Sequence, residues 1–149
     1  MSFLFWQRWL VTSCFVFGCV GIAVAVAGES AVFEGWNGGV RDVFADGREL
    51  GPEAVEVKNF LLGPLGATIL GSYVLCGFIA AGPFARQERW AWMALTTRLL
   101  TWFVLDSAVS IHSGAYFNVY LINLVTLFGQ AIPLAMTAPA FFRPRDPGH

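Results

Sequence analysis

Two charged side chains stand in an otherwise apolar part of the chain, the stretch TTRLLTWFVLDSAVSIH (residues 96–112). They are Arg98, which donates several hydrogen bonds, and Asp106, which accepts them or carries a proton. Charges inside a membrane segment are costly, and they often mark a ligand site or a proton pathway. Eight residues separate them, which corresponds to about 12 Å along a helix axis. Because aspartate is short, we expect no direct pair between the two.

A second apolar stretch carries polar residues in steps of three and four, which places them on one face of a helix. The members of this face, proline included, are Asn123, Thr126, Gln130, Pro133 and Thr137. Counting the helical rise from the outer end of each segment predicts two polar layers in the interior of a bundle. The outer layer contains Asp106 and Asn123, and the inner layer contains Arg98, Gln130, Tyr73 and Ser72.

These layers have alternative interpretations. Arg98 can extend toward the inner headgroups, because helix side chains lean toward the N-terminus. Asp106 has no such exit, so it is protonated, hydrogen-bonded inside the bundle, or facing a wet cavity. The layers as a whole either fix helix register through interhelical hydrogen bonds or line a pocket for a small ligand or proton.

The elements that must position these residues are four apolar segments, each about as long as the 20 residues that a bilayer requires. They cover residues 9–27, 60–81, 90–112 and 118–138, with one long connection at 28–59. The 149 residues are 56% hydrophobic and only 13% charged, more apolar than one soluble core of this size can bury. We predict one all-α domain over residues 1–149, a four-helix transmembrane bundle. The first segment also resembles a signal peptide, but its length favours a retained helix.

The distribution of charge predicts how the bundle is oriented. Arginines cluster on one side, whereas the long connection holds seven acidic and three basic residues. Since cytoplasmic loops are rich in arginine and lysine, both termini should face the cytoplasm of a bacterial cell, with the acidic connection outside. Those arginines are Arg8, Arg86, Arg89, Arg143 and Arg145. Helical spacing near residues 39–46 predicts a short amphipathic helix in the outer connection, lying on the membrane or capping the bundle.

Several functional classes lack support in the sequence. The net charge of −1 does not favour a nucleic-acid partner. No catalytic motif occurs, and neither His112 nor His149 lies clearly inside a helix where it could hold a haem. The cysteines have no metal-site spacing and are interpreted as packing residues; they are Cys14, Cys19 and Cys76. The sequence therefore requires no cofactor or metal and favours a non-catalytic protein.

A family resemblance rests on two stretches. They are FLLGPLGATILGSYVLCGFIAAGPFARQERWAWMAL (residues 60–95) and WFVLDSAVSIHSGAYFNVYLIN (residues 102–123). With the long connection after the first helix, their outline resembles the DoxX-like group of small bacterial four-helix membrane proteins. Some members of that group are accessory subunits of quinone-reducing enzymes. The resemblance implies an accessory role in a membrane complex, and it implies no functional residue.

The favoured function is an accessory or structural subunit of a larger membrane complex, such as one that transfers electrons, in contact with lipid and with other subunits. Small residues such as Ala67 and Gly71 support this, since they allow helices to approach closely. The alternative is a bundle that binds or moves a small ligand, such as a quinone, a lipid or a proton, through Asp106 and Arg98.

Overall fold

The computed structural model describes residues 2–142 of the chain, so Arg143, Arg145 and His149 lie outside the described residues. The described part consists of helices joined by short connections and contains no strand. Its helices are α1 (Phe3–Ala27), α2 (Glu34–Phe44), α3 (Pro52–Ala81), α4 (Arg89–His112) and α5 (Tyr116–Phe142). All but α2 are long and apolar enough to cross a membrane.

The long helices extend beyond the apolar segments from which they are predicted. α1 begins at Phe3, six residues before the predicted segment, and α3 begins at Pro52, eight residues before it. The α1 extension ends on the polar residues Gln7 and Arg8, and the α3 extension alternates apolar and charged residues. Hydropathy alone therefore places the helix starts too late. The connection between α1 and α3 is correspondingly shorter, and it contains α2 after a short 3-10 turn.

Glycines let α1 and α3 pack with their backbones in contact. A Cβ atom built on Gly21 would lie 2.8 Å from the Leu70 nitrogen and 2.9 Å from the Gly66 oxygen. A Cβ atom on Gly66 would lie 2.5 Å from the Ala25 nitrogen. Because Gly21 and Gly66 have no side chain at this crossing, α1 packs more extensively against α3 than against any other helix.

Indole groups of other helices donate to backbone carbonyls of α5. Pro133 has no N–H, so the Gly129 carbonyl four residues earlier has no donor within the helix. Trp9 Nε1 donates to that carbonyl at 2.9 Å, and Trp92 Nε1 donates to the Leu134 carbonyl at 2.9 Å. These bonds tie α1 and α4 to α5 and satisfy backbone groups that lipid cannot.

The connection between α3 and α4 lies at the end of the bundle opposite to α2. Glu88 in this turn accepts hydrogen bonds from Arg86 Nε and Trp90 Nε1, both at 2.7 Å. The Arg86 guanidinium and then the Trp90 indole hold the pKa of this carboxyl below its usual range. Phe84 and Phe141 close the core at the same end. Beyond the turn, α3 and α4 make few contacts with each other.

Candidate functional site

The space between α3 and α4 is a long cleft of about 960 Å³. It runs from Trp90 near the α3–α4 turn to Trp36 on α2, with α1 and α5 completing its walls. Its lining is mostly apolar, yet both Arg98 and Asp106 lie in it. A volume of this size is at the upper end of the range of about 300–1,000 Å³ that small-molecule pockets occupy.

Arg98 binds residues from two other helices. Its Nε donates to Ser72 Oγ at 3.1 Å, and its Nη1 donates to Gln130 Oε1 at 3.1 Å. Its guanidinium carbon lies 4.2 Å from the centre of the Tyr73 ring, a cation–π contact. The structure thus brings together all four residues of the predicted inner layer. These contacts hold the guanidinium inside the bundle, so extension toward the headgroups does not describe its position.

The inner layer leaves hydrogen-bonding capacity unused. Arginine only donates, so the oxygen of the Gln130 amide must face Arg98. The other end of that amide, Nε2, is buried and has no partner among the described residues. Arg98 itself takes part in none of the ion pairs that the described residues form. The cluster therefore combines an unneutralised positive charge with a spare donor.

Asp106 pairs with a residue that the predicted outer layer did not contain. Asn118 Nδ2 donates to Asp106 Oδ2 and to Ser110 Oγ, both at 2.9 Å. The Asn118 oxygen accepts from Trp36 Nε1 at 3.2 Å, which links α2 to the carboxylate. Asn123, the predicted partner, donates instead to Ser107 Oγ at 3.0 Å. The expected Asp106–Asn123 pair is therefore wrong, although both residues lie where α4 meets α5.

A π-helical segment explains the change of partner. In a regular α-helix, residues five apart differ by about 140° in direction, which would turn Asn118 away from the face of Asn123. α5 instead has a π-helical segment at Val119–Asn123, where the Leu124 N–H bonds the Val119 carbonyl five residues back. Residues five apart then lie nearly one above the other. Both asparagines can therefore reach α4.

The predicted polar face of α5 is buried along its whole length. Asn123, the most enclosed of the polar members, has no exposed surface, and Gln130 is 4% exposed. The remaining members, Thr126, Pro133 and Thr137, are also buried. Only Thr126 of the five lines the cleft directly, so the rest of this face supports the neighbouring helices.

α2 is anchored over the cleft by a buried asparagine. Asn37 Nδ2 donates to the Gly28 carbonyl at 2.8 Å, and Asn37 Oδ1 accepts from Lys58 Nζ at 2.9 Å. Lys58 also pairs with Glu29 at 2.5 Å. The Phe117 ring lies against Gly39, leaving no room for a Cβ atom there. These contacts place Trp36 at the end of the cleft.

The chemistry available in the cleft is binding by charge, hydrogen bonds and apolar contact. The described residues contain no group of three side chains that could hold a metal ion. Cys14 and Cys76 are buried in the core, and Cys19 is exposed. His112, at the α2 end of α4, is exposed. The cleft therefore offers an apolar surface with one cationic and one anionic group at different depths.

No family model, curated protein or solved structure matches the chain. The comparisons therefore leave the DoxX-like resemblance as a prediction. What the chain does has to be inferred from the cleft and its surroundings.

Sequence reasoning missed Asn118, Trp36, Ser107 and Ser110. Asn118 marked the predicted start of the fourth segment and was treated as an interfacial end rather than a partner. Ser107 and Ser110 sit beside Asp106 on α4, and their hydroxyls were an available signal in a polar third segment. Nothing in the spacing of residues links Trp36 to Asp106, because that contact depends on how α2 folds back over the bundle.

Proposed function

We propose that the chain is a non-catalytic integral membrane protein whose cleft binds a small amphipathic molecule from the bilayer. The observation that carries this proposal is the position of Arg98 and Asp106 in one apolar cleft between α3 and α4. A purely structural polar layer would be expected to neutralise its charges internally, because an unpaired charge in hydrocarbon costs several kcal/mol. Arg98 lacks a carboxylate partner among the described residues, which favours a site that a ligand completes.

The location that fits this function is the bacterial cytoplasmic membrane, with both termini inside and α2 outside. Arg8, Arg86 and Arg89 lie at the end opposite to α2, as the positive-inside rule requires. α2 and the residues around it carry most of the acidic side chains. In this orientation α2 caps the outer end of the cleft.

Blocking the cleft should remove ligand binding. Thr101 is exposed and lines the cleft, whereas its neighbour Leu100 is exposed and does not line it. We expect Thr101→Trp to lower cleft labelling by a photoreactive long-chain probe about tenfold, because the indole occupies the ligand volume. The probes are hexadecanoic acid with a mid-chain diazirine and its methyl ester, in lipid nanodiscs, with labelled peptides identified by mass spectrometry.

Leu100→Trp is the matched control and should label like the unaltered chain. Labelling spread evenly over all lipid-facing residues, and equal in the three proteins, would contradict ligand binding in the cleft.

A second candidate function, an accessory subunit of a larger membrane complex, is favoured by one face of α3. Gly63, Ala67 and Gly71 repeat every four residues, and a Cβ atom on either glycine would meet nothing within 4 Å. Such a face allows another helix to approach closely. Gly66, by contrast, already packs against α1. The small residues of α3 thus serve two faces, and only the first is open to a partner.

Adding bulk to the open face should release the chain from its complex. We expect Gly71→Leu to shift the protein from a high-mass band to a monomer-sized band on native gels of membranes dissolved in mild detergent. Ala108→Leu, on the exposed surface of α4, should leave the high-mass band unchanged. A single small species for the unaltered chain in its own membranes would argue against the accessory role.

A further inference from the structure

We infer, resting on the proposed ligand cleft, that its occupant is a single-chain amphiphile whose carboxylate is bound by Arg98. Arg98 marks the head-group position, and the apolar walls of the cleft take the chain.

The donors around Arg98 call for an anionic oxygen acceptor. Arginine carries five N–H donors in a planar fork, and the described residues account for one at Nε and one at Nη1. The Tyr73 ring lies over one face of the guanidinium. The remaining N–H groups match the paired oxygens of a carboxylate.

No acidic side chain of the described residues takes this role. Asp106 lies about 12 Å away along the α4 axis and receives its hydrogen bond from Asn118. The recorded ion pairs lie in the connections, in α2 or at helix ends. The charge of Arg98 is therefore complemented from outside the described chain.

The depth of Arg98 favours a fatty acid over a phospholipid. Arg98 follows the first residue of α4 by nine positions, which places it about 13 Å along the helix from that end. A phospholipid would have to draw its permanently charged phosphate this far into the hydrocarbon. A carboxylic acid can enter in its neutral, protonated form, pair with Arg98 as the carboxylate, and release one proton to solvent.

The remainder of the cleft suits a single acyl chain. Away from Arg98 the lining of the cleft is dominated by aliphatic and aromatic residues. Because α3 and α4 make few contacts with each other, the gap between them gives lateral access from lipid. Representative apolar lining residues are Val20, Val24, Leu65, Ile69 and Met93.

The test compares the photoreactive hexadecanoic acid with its methyl ester in nanodiscs of uncharged lipid, using the full chain. The unaltered protein should show about tenfold stronger cleft labelling by the acid than by the ester, because only the ionised acid can form a charge-assisted pair with the guanidinium. Arg98→Gln should lower labelling by the acid about tenfold, to the level of the ester. Arg98→Lys, which keeps the charge without the planar fork, should retain part of the preference for the acid. Arg86→Gln, which removes an exposed arginine at the α3–α4 turn, is the control. It should change neither the labelling by the acid nor the labelling by the ester.

A second readout separates a lost head-group contact from a damaged fold. Hexadecanoic acid labelled with carbon-13 at its carboxyl should show the chemical shift of an ionised carboxylate when bound to the unaltered chain below the pH at which the acid ionises in the bilayer. Arg98→Gln should abolish this signal while its thermal unfolding in detergent is tracked separately. If Arg98→Gln does not fold, Arg98→Lys takes its place, and its labelling by the acid is compared with its labelling by the ester.

The outcomes distinguish this inference from the proposed function. Cleft labelling that is equal for acid and ester, or unchanged in Arg98→Gln, would overturn the carboxylate assignment and leave ligand binding intact. Displacement of the acid by an anionic phospholipid at equal membrane concentration would also overturn it. Labelling without any preference for the cleft, and insensitive to Thr101→Trp, would overturn both.

Discussion

Replacing Gly66 by alanine is expected to destabilise the bundle by about 3 kcal/mol, because the added methyl group overpacks a crossing of two helix backbones. The new Cβ atom would lie 2.5 Å from the Ala25 nitrogen and 2.7 Å from the Ala25 Cβ, and it would also meet the Gly21 carbonyl. Two of these three contacts are backbone atoms of α1. No flexible side chain can move aside, so the two helices must separate.

Gly63→Ala is the matched control for this prediction. It lies on the same helix, and its added methyl group would meet nothing within 4 Å. Alanine favours a helix over glycine by about 0.8–1.0 kcal/mol, so this change should be neutral or stabilising. Unfolding in detergent, followed by circular dichroism against denaturant, measures both variants. Equal stability of the two would mean that the helices do not cross at Gly66.

Replacing Asn118 by alanine is expected to lower the free energy of unfolding by about 2–4 kcal/mol. It removes two hydrogen bonds to α4 and one to α2, each worth about 0.6–2 kcal/mol in a membrane. Asp106 and Ser110 lose a donor, and Trp36 loses its acceptor. The variant should also expose α2, which hydrogen–deuterium exchange would detect as faster exchange over Glu34–Phe44.

Two double-mutant cycles test whether Asn118 is the partner of Asp106. Alanine at Asp106 and Asn118 should be non-additive by about 0.5–2 kcal/mol, since the two share a hydrogen bond. Alanine at Asp106 and Asn123 should be additive to within about 0.5 kcal/mol, because Asn123 bonds Ser107 instead. The reverse pattern would restore the Asp106–Asn123 pair and remove the π-helical explanation for Asn118.

The inner layer could be predicted from sequence because the constant rise of a regular helix gives the depth of each residue in the membrane. Each residue adds about 1.5 Å, so antiparallel segments with known ends place Arg98, Gln130 and Tyr73 at one level. The polar face of α5 from Thr126 to Thr137 follows the same regularity and is buried as its spacing predicts. Both inferences lie in stretches where the α-helical period holds.

The outer layer could not be predicted, because the helical period breaks in the π-helical segment Val119–Asn123. One extra residue in the π-helical turn rotates Asn118 onto the face that meets α4. No residue type in that segment predicts the switch from α-helical to π-helical geometry. The start of α3 at Pro52 was equally hidden, since polar residues in its first turns carry no hydropathy signal.

The sequence alone determined that this chain has four helices apolar enough to span a membrane, with Arg98 in a polar layer, because hydropathy and helical rise are local properties. Only the tertiary structure decided which neighbours the charges have. α1 and α3 pack closely through Gly21 and Gly66, whereas α3 and α4 remain apart. That unequal packing depends on contacts between segments distant in sequence. It leaves a cleft whose lining includes both charged residues, Arg98 and Asp106.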